Sequence, residues 1–388
     1  MSDLKQEVES WLDANWDSEN RCERGTEAYD QKSWLTKVVD AGYAVPTWPE
    51  KWYGRGLSPK EGRIIETAFQ SRKAEGWGRD RFHLGAITIF KLGNEALKTE
   101  LLHKLLSGPF CCLLYSEPNA GSDLAGIRTR AVKDGDEFIV NGQKVWTSNA
   151  VESEYGMLLA RTDIDVPKHQ GITFFIFPMK QDGVDVRPIN QITGESEFNE
   201  VFIEDARVPE CFIIGELNQG WKSFQTAIAS ERLIMGQGIT ARLRGAAGKV
   251  PTLLALAHKH DKLKDPVLRQ EIAQALAYRQ LNTLNMMRAK EEVMRNGTSS
   301  LASLGKLAMS RIQHGEARLS AKIVGPNVLL DDTEDARNAN FDAAKAYMNS
   351  IGGGTDQIQK NIIAERVLGL PKSTDVSRSI PFKDMKSG

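Results

Sequence analysis

Tyr115-Ser-Glu-Pro-Asn-Ala-Gly-Ser-Asp123, followed by Asn141-Gly-Gln-Lys-Val-Trp-Thr-Ser-Asn149, is the part of the chain that decides its reading. Gly121 lets a ligand approach the backbone closely, and amides beside it can donate to phosphate oxygens. Ser116 and Ser122 add hydroxyl donors. Trp146 supplies an aromatic face, with Thr147 and Ser148 beside it to bond ring heteroatoms. A flat, phosphate-bearing redox cofactor needs stacking, donors near its reactive nitrogen and ligands for its phosphates. Each residue taken singly also fits ordinary turn and strand chemistry, because Gly/Ser/Asp loops are common turns.

Outward from this core the pattern changes twice. Residues 1 to about 109 read as helical: Val8, Trp11 and Leu12 recur at helical spacing, as do Trp34, Leu35, Val38 and Val39. A Pro- and aromatic-rich loop covers 42–56, and Ser58-Pro59 opens a further helix as N-cap and first-turn proline. From 110 to about 216 the signals are those of strands. Glu137–Val140, Asn141-Gly142 and Gln143–Trp146 spell a type I′ hairpin. Gly171–Phe177 is a β-prone run, and Phe198–Ile203 is a short strand closed by Val208-Pro209. From 217 to 388 the chain is helical again. One helix opens at Asp265-Pro266 and runs toward Asn296-Gly297, another spans about Leu301–Val324, and a last one spans about Gln357–Leu368 before Gly369-Leu-Pro371. The fold class expected is α+β, with a β domain between two helical ones.

The bulk properties exclude several functions. Formal net charge is −1 over 388 residues, which gives no case for nucleic acid or an acidic membrane surface. No apolar run approaches the length of a membrane span, and the acidic start of the chain lacks the apolar core of a signal peptide. Four cysteines (Cys22, Cys111, Cys112 and Cys211) form no CxxC pair, so a cytoplasmic location is expected. His258-Lys-His260 at i, i+2 diverges on a helix, so no metal site is expected there.

The run Ser116–Asp123 with Asn141–Trp146 resembles the central signature of the acyl-CoA dehydrogenase family. Pro46–Gly56, Phe198–Pro209 and Gly354–Pro371 resemble further segments of that family, in the same order and over nearly the whole chain. The resemblance implies an N-terminal helical domain (1–109), a central β-barrel-like domain (110–216) and a C-terminal four-helix bundle domain (217–388). It implies FAD as cofactor, oxidation of an acyl-CoA to its trans-2-enoyl form, and an electron-transfer flavoprotein as partner. Leu113, Tyr115, Ser116, Gly121, Ser122, Trp146, Thr147, Ser148, Gly354, Thr355 and Gln357 would contact the cofactor. Ser122 and Arg232 would meet the substrate.

Removing a weakly acidic α-proton from a thioester calls for a carboxylate whose pKa is raised by burial. Many members of the family carry a glutamate just before the final Gly-Thr, but Gly353 stands there in this chain. Members of the isovaleryl and long-chain type instead carry a glutamate directly before an arginine, and Ser230-Glu231-Arg232 matches that pattern. Ala227, Ile228, Ile234 and Met235 flank Glu231 at −4, −3, +3 and +4, which puts it on an apolar helical face. A buried ion pair or helix-surface contact is the plainer reading of that pattern; with the resemblance, Glu231 is the expected base. The family's Arg-x-x-Phe-Gly segment, which reaches a neighbouring subunit's FAD, is missing around Ala257–Asp265, and its Gly-Gly-x-Gly turn is missing at Val324–Leu330. That pattern resembles heteromeric α2β2 members, including those acting on steroid side chains. A non-catalytic partner subunit and a same-fold acyl-CoA or nitroalkane oxidase are the alternatives.

Overall fold

A computed structural model of the chain describes residues 2–16, 30–228, 252–296, 299, 301–372 and 379–385. Two compact units emerge: one of residues 1–189, 196–231 and 376–388, the other of 190–195 and 232–375.

The first unit begins with helices α1 (Ser2–Asn15), α2 (Gln31–Asp40), α3 (Pro59–Ser71), α4 (Arg79–Phe82), α5 (Leu84–Leu92) and α6 (Glu95–Ser107). The α3 start is as the sequence predicts. Ser58 accepts from the Glu61 amide while the Glu61 carboxylate accepts from the Ser58 amide, a reciprocal capping box with proline at the first turn. Val8, Leu12, Trp34, Leu35, Val38 and Val39 are buried. Trp11 binds this layer together, with its ring 5.6 Å from Trp34, 5.0 Å from Tyr43 and 6.3 Å from Phe69.

A seven-stranded mixed sheet follows: β1 (Cys112–Leu114), β2 (Arg130–Asp134), β3 (Glu137–Ser148), β4 (Tyr155–Arg161), β5 (Ile172–Pro178), β6 (Val184–Pro188) and β7 (Phe198–Pro209). The pairing path is β1-β4-β2-β3-β7-β6, with β5 on β4. It stays open: among the described residues no pairing joins β6 to β1 or β5, so the barrel-like domain is a mixed sheet and not a closed barrel. β4 and β5 are buried along nearly their whole length, which explains their unbroken apolar runs.

The Asn141-Gly142 dipeptide is not a hairpin turn. β3 runs straight through it, and the β2–β3 turn is Gly135-Asp136, with Asp134 paired to Glu137 and Gly135 at φ 62°. Asn141 and Gly142 instead mark a register shift against β7. The Asn141 side chain accepts from the Asp205 amide at 3.0 Å and donates to its carboxylate at 2.9 Å. Gly142 is needed because a Cβ there would lie 2.3 Å from Thr129 Oγ1. β7 likewise continues past Ile203 to Pro209, with Asp205 at φ 49° at the irregularity. Helix α7, described over 220–228, starts against β5.

The second unit holds α8 (Thr252–Lys259), α9 (Pro266–Asn296), α10 (Leu301–Val324), α11 (Glu334–Ile351) and α12 (Asp356–Ile362). α9 and α10 start and stop where the sequence signals place them. They run antiparallel, tied by Arg279–Glu316, Lys322–Glu271 and Arg311–Tyr278. Leu253, Ala257, Leu268, Ile272, Leu319 and Ile323 form one core cluster of this unit. α12 passes into a π-turn over Ile363–Val367 and ends before Gly369, whose φ of 69° suits a C-terminal cap. His260 bonds the Asp335 carboxylate at 2.9 Å.

Candidate functional site

The Ser116–Asp123 loop is organised by one buried ion pair. Lys144, on β3 and fully buried, donates to the Glu117 carboxylate at 2.8 Å and to the carbonyls of Tyr115 at 3.1 Å and Leu159 at 2.9 Å. Glu117 also accepts from the amides of Arg128 at 2.6 Å and Thr129 at 2.9 Å. All three ammonium protons are thereby used, and the carboxylate is bonded on both oxygens, which is what a buried charge requires. Burial alone would raise the Glu117 pKa, but the Lys144 charge and the amide donors outweigh it and hold the carboxyl below its ordinary value. The Val145 amide donates to the Ser116 carbonyl at 2.9 Å. Lys144 and Val145 therefore fasten the loop to β3 from both sides of Ser116.

The same strand presents the tryptophan. Between Lys144 and Thr147 the register against β7 shifts, and Trp146 sits at φ 62° in this bulge. The bulge turns the indole outward: Trp146 is 60% exposed, with its ring edge-to-face on Phe198 at 6.2 Å. An exposed tryptophan held in left-handed backbone is a feature that ordinary strand packing does not supply. Ser148, two residues on, is also exposed. Thr147 is fully buried, and its Oγ1 has no hydrogen-bond partner among the described residues. Trp146 and Ser148 thus face outward, whereas Thr147, expected beside them at the cofactor, points into the core.

Glu117 and Ala120 exchange both backbone bonds across Pro118-Asn119, a tight turn that delivers Gly121, Ser122 and Asp123 to the surface. Among the described residues, a Cβ on Gly121 would meet nothing within 4 Å, so they leave the space above its backbone open. Leu113, Tyr115 and Ser116 are partly buried beneath it, and the Tyr115 ring packs edge-on against Phe224 of α7 at 4.9 Å. An outward indole, an open glycine and exposed Ser122 and Ser148 hydroxyls fit a flat cofactor with a phosphate tail.

In the second unit, Gly353 and Gly354 have φ of 66° and 92°. Thr355 caps α12, its hydroxyl accepting from the Ile358 amide. Gln357 is exposed, while Gln359 is buried and donates to the Gly353 carbonyl at 3.3 Å. Sequence reading therefore missed Gln359, which supports the glycine turn, and Lys144, which supports the loop. Glu231 and Arg232 lie outside the described residues. The residues leading to them are described: Ser223, Phe224 and Ala227 are buried along one face of α7.

The geometry and the sequence converge on one family. Residues 112–206 match the middle domain of the acyl-CoA dehydrogenases, and residues 218–368 match their C-terminal domain. The acyl-CoA dehydrogenase IpdE1 of Mycobacterium tuberculosis (strain ATCC 25618 / H37Rv) is 32% identical, with 96% of this chain and 98% of that protein aligned. FadE34 of the same strain is 34% identical over 86% of this chain, which spans only 46% of that longer protein. Among solved structures, the Tcur3481-Tcur3483 steroid ACAD superposes with a TM-score of 0.72 at 26% identity, over 96% of this chain and 98% of that one. The ChsE4-ChsE5 complex from Mycobacterium tuberculosis gives 0.68 at 25% identity, over 96% and 98%. The chain belongs to the acyl-CoA dehydrogenase family of FAD-dependent oxidoreductases. No described helix is long and apolar enough to cross a membrane.

Proposed function

We propose that the chain oxidises a bulky acyl-CoA to its trans-2-enoyl-CoA, with Glu231 as base, as one subunit of a heteromeric enzyme that passes electrons to an electron-transfer flavoprotein. The observation that carries this reading is the outward Trp146, held in a strained bulge directly after the buried Lys144 that fixes the Ser116 loop. FAD, when bound, supplies the hydride acceptor for the β-carbon. This chain's residues do the rest. Leu113, Tyr115, Trp146 and Ser148 would form the wall for the ring system, and Ser116, Gly121 and Ser122 would hold the phosphates. By the family resemblance, Gly354, Thr355 and Gln357 would also contact the cofactor. Glu231 would take the α-proton as the α–β double bond forms, and Arg232 and Ser122 would meet the thioester's CoA portion.

Gly353 supports the assignment by exclusion, because it has no side chain to act where other members carry their glutamate. The steroid-acting neighbour and the two-protein neighbour complexes support the bulky substrate and the heteromer. The test uses the chain purified with any subunit it binds. A yellow preparation bleached anaerobically by a steroid-type acyl-CoA is expected. Glu231→Gln is expected to keep the flavin and lose bleaching by at least about 1,000-fold, within the range for removing a positioned base. Normal bleaching by Glu231→Gln would remove that residue from its role. Peroxide release in air would point to an oxidase, and a colourless chain to a non-catalytic subunit.

A further inference from the structure

Arg161, at the end of β4, is almost fully buried, and among the described residues its guanidinium bonds only backbone carbonyls and no carboxylate directly. Burial pushes its pKa down to about 10, so the guanidinium stays charged at neutral pH. The carboxylates of Glu117, Asp123 and Asp163 support that charge through space, and backbone oxygens take its hydrogen bonds. Nη1 donates to the Lys168 carbonyl at 2.7 Å, and Nη2 donates to Ala125 at 2.6 Å and Ile127 at 3.3 Å. Ala125 lies within the short helical turn Leu124–Gly126 directly after Asp123, and Ile127 caps it. Lys168 also donates to both Asp123 oxygens, at 3.1 and 2.9 Å. Arg161 and Lys168 together clamp the downstream end of the loop whose upstream end Lys144 holds.

The outer face of Arg161 is covered from the far end of the sequence. The Phe382 ring lies over its guanidinium at 3.8 Å, and the Arg128 guanidinium sits 5.9 Å from the same ring. The backbone around Phe382 is hydrogen-bonded into place: its amide donates to the Val166 carbonyl at 2.9 Å and the Lys383 amide to Ile164 at 3.0 Å. Pro381 bridges to Pro167, and Lys383 pairs with Asp165 at 2.7 Å. An arginine sealed from water without a direct ion pair gains more from an aromatic face than an exposed one does.

We propose that Phe382 and Arg161 are positioning residues for the cofactor loop: residues 379–385 form a strap that covers Arg161, and Arg161 fixes the backbone that sets Gly121, Ser122 and Asp123. The strap's link to cofactor binding rests on the proposed role of Gly121 and Ser122; its link to the loop does not. The sequence signals of residues 379–385 give no hint of this, because the contact spans more than 200 residues and depends on one ring.

The experiment compares Phe382→Leu and Phe382→Tyr in the full chain with any subunit it binds, reading two quantities. One is the FAD dissociation constant. The other is amide hydrogen exchange in the apoprotein at Gly126, Ile127, Arg128 and Thr129, whose bonds lie within the clamped segment. Phe382→Leu is expected to weaken FAD about tenfold and to speed exchange at these amides by a similar factor. Phe382→Tyr, which keeps the ring, is expected to stay near wild type on both. Wild-type exchange in Phe382→Leu would overturn the strap. Faster exchange with unchanged FAD affinity would overturn the positioning role, and a Phe382→Tyr variant that behaves like Phe382→Leu would overturn the role of the ring. A wild-type chain that binds no FAD would sink the proposed function, while the exchange result would still decide the strap.

Discussion

At the scale of single residues, Lys144 is the centre of the site. Its ammonium reaches Tyr115, Glu117 and Leu159, so its removal strands a buried carboxylate and two carbonyls. Lys144→Met is expected to cost about 3–5 kcal/mol in denaturant unfolding, and the Glu117→Gln/Lys144→Met pair much less, since a neutral pair strands no charge. Equal losses in the two variants would mean that packing, and not charge, sets the cost. The pH dependence follows from Glu117. Its folded pKa lies below the ordinary glutamate value of 4.5. The stability it contributes is therefore complete above that value and fades as pH falls through it toward the folded pKa. Wild type is expected to lose denaturant resistance more steeply than Glu117→Gln as pH drops below 4.5. The Glu-Pro and Gly-Gln-Lys segments were conspicuous in the sequence, but the link between Glu117 and Lys144 was not. A lysine two residues from an exposed tryptophan gives no local sign of burial, because burial of a charge depends on a partner 27 residues away.

At the scale of elements, the β3 bulge turns a strand into a platform. Trp146 at φ 62° carries a backbone cost that only glycine escapes. Trp146→Gly and Trp146→Ala remove the same exposed indole, so both are expected to weaken FAD binding. In the apoprotein, Trp146→Gly is expected to be the more stable of the two by about 1 kcal/mol, the reverse of the usual order in a strand. An alanine variant as stable as the glycine one would show that the backbone there is not left-handed. The helices with strong local signals were legible: Ser58-Pro59 and Asp265-Pro266 opened helices, and Gly369 closed one. Ser58→Ala should accordingly cost about 1 kcal/mol in thermal or denaturant unfolding. Asn141-Gly142 misled because a close approach to Thr129 and a bulge call for the same residues as a hairpin turn. α11 passed without signal because it buries small alanines (Ala336, Ala339 and Ala346), which mark no apolar stripe.

At the scale of the whole molecule, the described chain leaves apolar surface on the second unit. Leu281, Leu284 and Met287 lie on α9 at helical spacing and are each more than half exposed, and Tyr347 and Ile351 at the end of α11 are 65% and 62% exposed. Single exposed apolar residues are ordinary; several on one long helix fit the surface that the proposed partner would cover. The missing Arg-x-x-Phe-Gly segment agrees with the proposed heteromer, in which a partner would complete the flavin site. The order of helices, sheet and helices was legible in the sequence, and so was the family. The surface through which it would assemble was not, because periodicity tells which residues leave water but not whether they enter this chain's core or a neighbour's. Two expectations follow. Purified alone, the chain should hold well under one FAD per molecule, and co-expression with a second chain of the same family should raise the content toward one per pair. Leu284→Asp with Met287→Glu should leave the unfolding free energy of the isolated chain within about 0.5 kcal/mol of wild type, because both sites face solvent there. In light scattering the same double variant should shift the oligomer to smaller mass and lower its flavin content. An unchanged mass would place the interface elsewhere, and full flavin loading of the chain alone would show that it completes its own site.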